Sequence, residues 1–376
     1  MVLGLRSTLQ ILYLIDHLES NYPRDQNYII KFMLEKGHEV KVITTINEKF
    51  QLYDTLFFPS ANVIRYPVLF QIKKAKIFFH PNVLSELYET HDVVHSFTFF
   101  TFSSALATLA MSRVKVIRSE IGPPNKLEFL KARHSIYSML VDLYKHSYDY
   151  ITVYNRLEAK SLELLEFPVE RIVMLPPMVD FKRFSLSYAP CGRNYSMSIG
   201  VIGRISPEKG IHRVVYIIKE ILKKMPDASH RLKLILAGPI DDEEYAKRVL
   251  TDFRNLLQSR FIYLGEVAPP YRFYQNVDIV VVPSITETGA IVVLEAMASG
   301  KCVIASNIYP IYLYITHRVN GFLFNTPSEA ATIILELLGG SIDIKSISEE
   351  AQKYAKEHDY RNICQILERI YYLSAK

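Results

Sequence analysis

Cysteine is scarce in this sequence, and no block of a single charge stands out. Cys191, Cys302 and Cys364 are the three cysteines among 376 residues. They are scattered, odd in number and without CxxC spacing, which excludes a disulfide framework and a zinc ribbon and fits a reducing compartment. The net charge of +5 is spread along the chain, whereas a nucleic-acid binder gathers its cations into patches. The densest basic stretch, QIKKAK at 71–76, reads as a solvated face, with contact to a membrane surface or an anionic ligand as the second reading. The opening residues, MVLGLRSTLQILYLIDHLE, lack the small-residue cleavage site of a signal peptide and run straight into a strand pattern. Residues 93–111, VVHSFTFFTFSSALATLAM, have His95 as their one ionisable side chain. A membrane-spanning helix needs about 20 mainly apolar residues, and Ser, Thr and His interrupt this run, which reads as a buried strand, a turn and a packed helix. The expectation is a soluble, cytoplasmic protein, with peripheral membrane contact left open.

What is present is globular: hydrophobic residues make up 49% and charged residues 22%. The length predicts two domains of roughly 100–200 residues each. LQILYLID, NYIIKFMLEKGH and EVKVITT read as strand, helix and strand on short connections, a parallel βαβ unit. The theme returns at DVVHSF, VKVIRSE and YDYITVYN. Near 176–195 the rhythm breaks in LPPMVDFKRFSLSYAPCGRNY, whose three prolines and polar turns read as an interdomain linker. Alternation then restarts with SMSIGVIGRI, IHRVVYIIKEILKKM, LKLILAG, EEYAKRVLTDFRNLL, FIYLG, DIVVVPS, IVVLEAMASG and CVIAS. The pattern predicts an α/β protein of two doubly wound domains. Ligands of such sheets sit at the carboxyl ends of the strands, so a cleft between the two domains is the expected site.

Two stretches carry chemistry. In IGVIGRISPEKGIHRVV, 199–215, a strand ends at Gly203, Arg204 follows, and a loop reaches Lys209 and Gly210 before a helix. Two cations and the free N–H groups of a helix start make an anion site; the alternative is a loop with two solvated cations. It is neither a Walker loop nor a Rossmann fingerprint, because both glycine patterns are broken. In PSITETGAIVVLEAMASG, 283–300, a strand stops at Pro283-Ser284 and a helix is expected to begin near Gly289. The N–H groups of Gly289, Ala290 and Ile291 then point out of its positive end. Glu287 precedes that cradle, and Glu295 lies about a turn and a half inside the helix. The spacing suits a nucleotide diphosphate, with a ribose diol at Glu295 and a polyhydroxy group at Glu287. The plainer alternative makes Glu287 a helix cap and Glu295 a partly solvated helix residue. No metal signature is present, and IDDEE at 240–244 reads as a solvated helix start.

In order along the chain, LPPMVDFKRF, VIGRISPEKGIHRVV, LILAGPI, the segment from FIYLGEVAPPYRFYQN to EAMASGKCVIAS, NGFLF and HDYRNICQILERIYY resemble the retaining glycosyltransferases of GT-B fold called family 4 (glycosyl transferases group 1). The resemblance runs from about residue 10 to the end. It implies two Rossmann-like domains facing a cleft: 1–183 with the C-terminal helix 358–376 on the acceptor side, and 184–357 binding the donor. It also implies roles. Arg204 and Lys209 hold the donor diphosphate, Glu295 the ribose and Glu287 the transferred sugar. Main-chain groups around Gly203, Gly289, Ala290 and Ile291 hold phosphate and sugar, and the Gly265–Val267 strand end faces the base. The donor is a UDP- or GDP-type nucleotide sugar, with no metal and no cofactor. His95 in DVVHSF matches a family histidine; it is a candidate catalytic group or a hydrogen-bonded strand-end histidine. Glu120 in VIRSEIG stands where many members carry histidine; it is a candidate to position or deprotonate the acceptor, or else pairs with Arg118 or Arg24. DHLESNYPRDQ replaces the usual glycine pair, and Ala290 replaces a frequent glycine. The rival readings are an epimerase or phosphorylase of the same fold, a non-catalytic nucleotide-sugar binder, and a nucleic-acid binder. Acceptor and oligomeric state are not legible.

Overall fold

The computed structural model describes residues 8–16, 18–19, 24–68, 70–72, 75–77, 81–97, 115–119, 148–186 and 196–375. The chain divides into two compact units, Met1–Pro177 with Tyr360–Lys376, and Met178–Asp359. Glu120, Cys191, residues 98–111 of the long apolar stretch and part of QIKKAK lie outside the described residues.

In the first unit, β1 (Gln10–Leu14), β2 (Glu39–Thr45) and β3 (Asn62–Tyr66) are followed by a two-stranded antiparallel sheet of β4 (Phe70–Ile72) and β5 (Ala75–Ile77). Then come β6 (Val93–Phe97), β7 (Lys115–Ser119), β8 (Tyr150–Val153) and β9 (Ile172–Met174). Among the described residues the main sheet has the order β3-β2-β1-β6-β7-β8-β9, all pairs parallel. β1 sits mid-sheet, and Ile11 to Leu14 are all buried, as a parallel strand covered on both faces requires. The helix Tyr360–Ser374 belongs to this unit. Tyr360, Ile363, Cys364, Leu367, Ile370 and Tyr371 form one buried stripe at helical spacing. Tyr360 stacks on Tyr28 at 5.2 Å between ring centroids and donates to Glu35 at 2.9 Å.

The stretch expected as a linker is partly structured. Asp180 accepts from the Arg183 N–H and starts a short helix, Phe181–Ser185. Val179 and Phe184 bury themselves in the core of the second unit. Two apolar residues beside prolines and polar turns carry no periodicity, so only tertiary burial reveals them.

In the second unit, β10 (Met197–Ile202), β11 (Leu232–Ala237), β12 (Phe261–Tyr263), β13 (Ile279–Val282), β14 (Cys302–Ser306) and β15 (Phe322–Phe324) form a parallel sheet in the order β12-β11-β10-β13-β14-β15. Alternate residues of β10 feed the two faces. Ile199 and Val201 join a cluster with Val214, Ile218 and Phe253, and Ile202 packs with Phe273, Tyr274 and Leu294 on the other side. The order reverses between β10 and β13. In doubly wound sheets the crevice beyond the strand ends at that reversal is where ligands bind. Among the described residues, no helix is long and apolar enough to cross a membrane.

Candidate active site

Two loops leave the carboxyl ends of β10 and β13 at this reversal, and they touch. The Ile285 N–H donates to the Glu208 carbonyl at 2.8 Å. Gly210, at φ +63°, is the left-handed residue that starts the helix Ile211–Lys224; a Cβ there would stand 2.2 Å from the Pro283 carbonyl oxygen. No side chain fits at that contact, and glycine alone adopts this φ without strain. The glycine therefore lets the helix start press against the end of β13.

The approach brings Lys209 and Glu287 into contact. Lys209 Nζ donates to Glu287 Oε1 at 2.7 Å, and the buried Ser284 hydroxyl donates to the same oxygen at 2.7 Å. Arg204 lies on the same loop as Lys209. Its guanidinium pairs with Asp241 at 2.5 Å and with Glu208. Asp241 is delivered by the loop after β11, whose Pro239 carbonyl accepts from the Ile205 N–H at 2.9 Å. Arg204 and Lys209 thus both rest on carboxylates, which are groups of the charge a phosphate would bring.

The helix of the second stretch runs from Ile291 to Ala298, two residues later than the expected start at Gly289. Ala290 is its N-cap, left-handed at φ 47°, and no side chain caps the helix. An N-terminus without a side-chain cap keeps its partial positive charge for an anion. Glu295 is buried inside this helix, 5% exposed, and Tyr274 donates its hydroxyl to Glu295 Oε2 at 2.8 Å. Burial pushes its carboxyl up to about 8, the Tyr274 bond opposing part of that rise. Glu295 is therefore mostly protonated near neutrality, and not the partly solvated residue of the plainer reading. At the end of β12, Gly265 accepts from the Gly238 N–H at 2.7 Å, and Val267 is half-buried against the Phe273 cluster.

His95 belongs to the first unit. It is fully buried, stacked on Phe97 at 4.4 Å, with Nδ1 2.5 Å from the Tyr371 hydroxyl of the last helix. Burial lowers its pKa to about 3, so the ring stays neutral at physiological pH. Glu120 lies outside the described residues. The structure thus joins Lys209, Glu287 and the 290–291 helix start around one loop pair, with Arg204 on the same loop. Sequence reasoning missed Tyr274, Ser284 and Asp241. Tyr274 sits among the aromatics of YRFYQN, and nothing in its spacing separates a carboxylate partner from a core ring.

The model of the family described as glycosyl transferases group 1 matches residues 196–357. An uncharacterized glycosyltransferase of Methanocaldococcus jannaschii is 26% identical over 249 residues, 62% of each chain. The lipopolysaccharide 1,2-N-acetylglucosaminetransferase of Salmonella typhimurium is 29% identical over 178 residues, 44% of this chain and 45% of that one. This chain therefore spans well under the full length of these relatives. Among solved structures, Anabaena HepE in complex with UDP and glucose has a TM-score of 0.73 at 17% identity, covering 96% of this chain and 99% of that one. The fold is that of the GT-B glycosyltransferases, and residues 196–357 are similar to the glycosyl transferases group 1 family.

Proposed function

We propose that this chain is a glycosyltransferase that moves a sugar from a nucleotide-diphosphate sugar to an acceptor with retention at the anomeric carbon. The observation that carries the reading is the Lys209–Glu287 contact at the sheet reversal, beside a helix N-terminus without a side-chain cap. The HepE complex with UDP and glucose, on a chain of the same fold, supports a nucleotide sugar as the donor. As the glycosidic bond breaks, negative charge gathers on the leaving diphosphate. Lys209, Arg204 and the N–H groups at 289–291 are the positive groups to receive it. Fixed donors aimed at developing charge carry much of such catalysis, and removing one costs about 10²–10³ in rate. Two cations take the neutralising role, so the proposed reaction has no metal step. Glu287 contacts the transferred sugar once the phosphate has drawn Lys209 away, and Glu295 accepts the ribose hydroxyls. The acceptor is a glycan, a lipid-linked sugar or a small molecule.

A nucleotide-sugar panel with acceptor-free controls tests this reading. Hydrolysis or transfer from one donor, lowered about 10²–10³-fold by Lys209→Ala with folding intact, is the expected result. Conversion of the donor sugar with no transfer would point to an epimerase. Native-like turnover in Lys209→Ala would overturn the diphosphate assignment.

A further inference from the structure

Arg213, in the first turn of the helix Ile211–Lys224, is a charged group that the proposed chemistry leaves unused. Its guanidinium is half-buried and reaches the carboxyl ends of three neighbouring strands. Nη1 donates to the Pro283 carbonyl after β13 at 3.3 Å and to the Ser306 hydroxyl at the end of β14 at 2.7 Å. Nη2 donates to the Asn325 carbonyl after β15 at 2.9 Å. Its Cζ stands 4.9 Å from the Phe324 ring centroid, and Ser306 and Phe324 are fully buried. The Pro283 carbonyl is the same one that excludes a side chain from Gly210. One oxygen thus accepts from the Arg213 fork and packs closely against the Gly210 backbone beside Lys209. It opens the loop that carries Ser284 and Glu287.

We propose that Arg213 is a positioning residue for the anion pocket, clamping the 283–290 loop against the Lys209 loop. A planar fork holds its donors in a fixed geometry that spans these three acceptors, whereas an ammonium is a compact point charge with freely rotating donors. The ligand arm rests on the nucleotide-diphosphate reading; the loop-fixing arm does not. Arg213→Met and Arg213→Lys are compared with the native chain by amide hydrogen exchange and by calorimetric titration with UDP. Both variants are expected to speed exchange in 283–290 at least tenfold, with 232–237 and 243–257 unchanged, and to raise the UDP dissociation constant at least tenfold. Ser306→Ala removes one acceptor without touching Arg213 and is expected to give a smaller shift in the same segment; it decides the matter if the Arg213 variants fail to fold. Unchanged exchange in 283–290, an equal rise across the whole unit, or full rescue by lysine would overturn the proposal. So would native UDP affinity in a variant whose loop has loosened. If the native chain binds no UDP while the loop still loosens as expected, the clamp stands and the nucleotide reading falls.

Discussion

At the scale of single residues, Glu295 and Tyr274 give the second unit a pH-dependent contribution to stability. The unfolded chain loses the Glu295 proton near the ordinary value of 4.5, whereas burial holds it in the folded chain up to about 8. Over that window the unfolded state binds fewer protons, so this group's contribution to stability falls as pH rises. Glu295→Gln removes this contribution: melting curves are expected to show its stability gaining on the native chain from pH 5 to pH 8. Ribose hydroxyls donate to a carboxylate and favour its ionised form, so on the proposed reading nucleotide binding releases this proton. UDP affinity of the native chain is then expected to rise as pH approaches 8, and in the glutamine variant to stay flat and weaker. Tyr274→Phe leaves the buried carboxyl without its donor, at a cost of about 1–3 kcal/mol. It also moves the pH dependence of affinity upward, since the Tyr274 bond holds the carboxyl pKa down. Chemical denaturation and titration calorimetry read the two effects separately. None of this is legible in EAMASG: the glutamate is visible, but its neutralising burial depends on a tyrosine 21 residues upstream.

At the scale of elements, two helix starts and two loops build the pocket through backbone conformation. Gly210 carries both a left-handed φ and a contact that admits no Cβ. Gly210→Ala is expected to lower stability by about 1–3 kcal/mol from the strained φ alone, and to weaken UDP binding by pushing Lys209 away from Pro283. Ala290 presents the reverse case, a side chain in a conformation that glycine holds freely. Ala290→Gly relieves about 1–2 kcal/mol of left-handed strain and returns about 0.4–1 kcal/mol through the freer unfolded chain. A small net rise in melting temperature is expected; a fall would mean that the Ala290 methyl packs better than its conformation suggests. The two loops could be located from the sequence because glycine and proline punctuate the strand ends at Gly203, Gly210 and Pro283. Which acidic groups would face the cations could not, because Asp241 arrives from a third loop through the Ile205–Pro239 backbone bond.

At the scale of the whole molecule, the alternation of strands and helices gives both sheets their order, because short βαβ connections leave few other topologies. The last helix is different: no local pattern tells a stripe of Tyr360, Ile363, Leu367 and Tyr371 where to dock, and the resemblance alone pointed to the N-terminal domain. In the structure Tyr371 meets His95 across 276 residues of chain and donates to Tyr13 at 3.2 Å. Removing residues 360–376 uncovers that buried set, and the first unit is expected to lose its cooperative melting transition while the second keeps its own, read by calorimetry. The central claim is that the second unit grips a nucleotide diphosphate with Lys209 and Arg204 at the sheet reversal. Titrating UDP and GDP into the native chain and into Lys209→Ala and Arg204→Ala tests it most directly. The expected result is binding of one nucleotide by the native chain, weakened at least tenfold in each variant with melting temperature preserved. Equal affinity in all three chains, or no binding of either nucleotide by the native one, would contradict it.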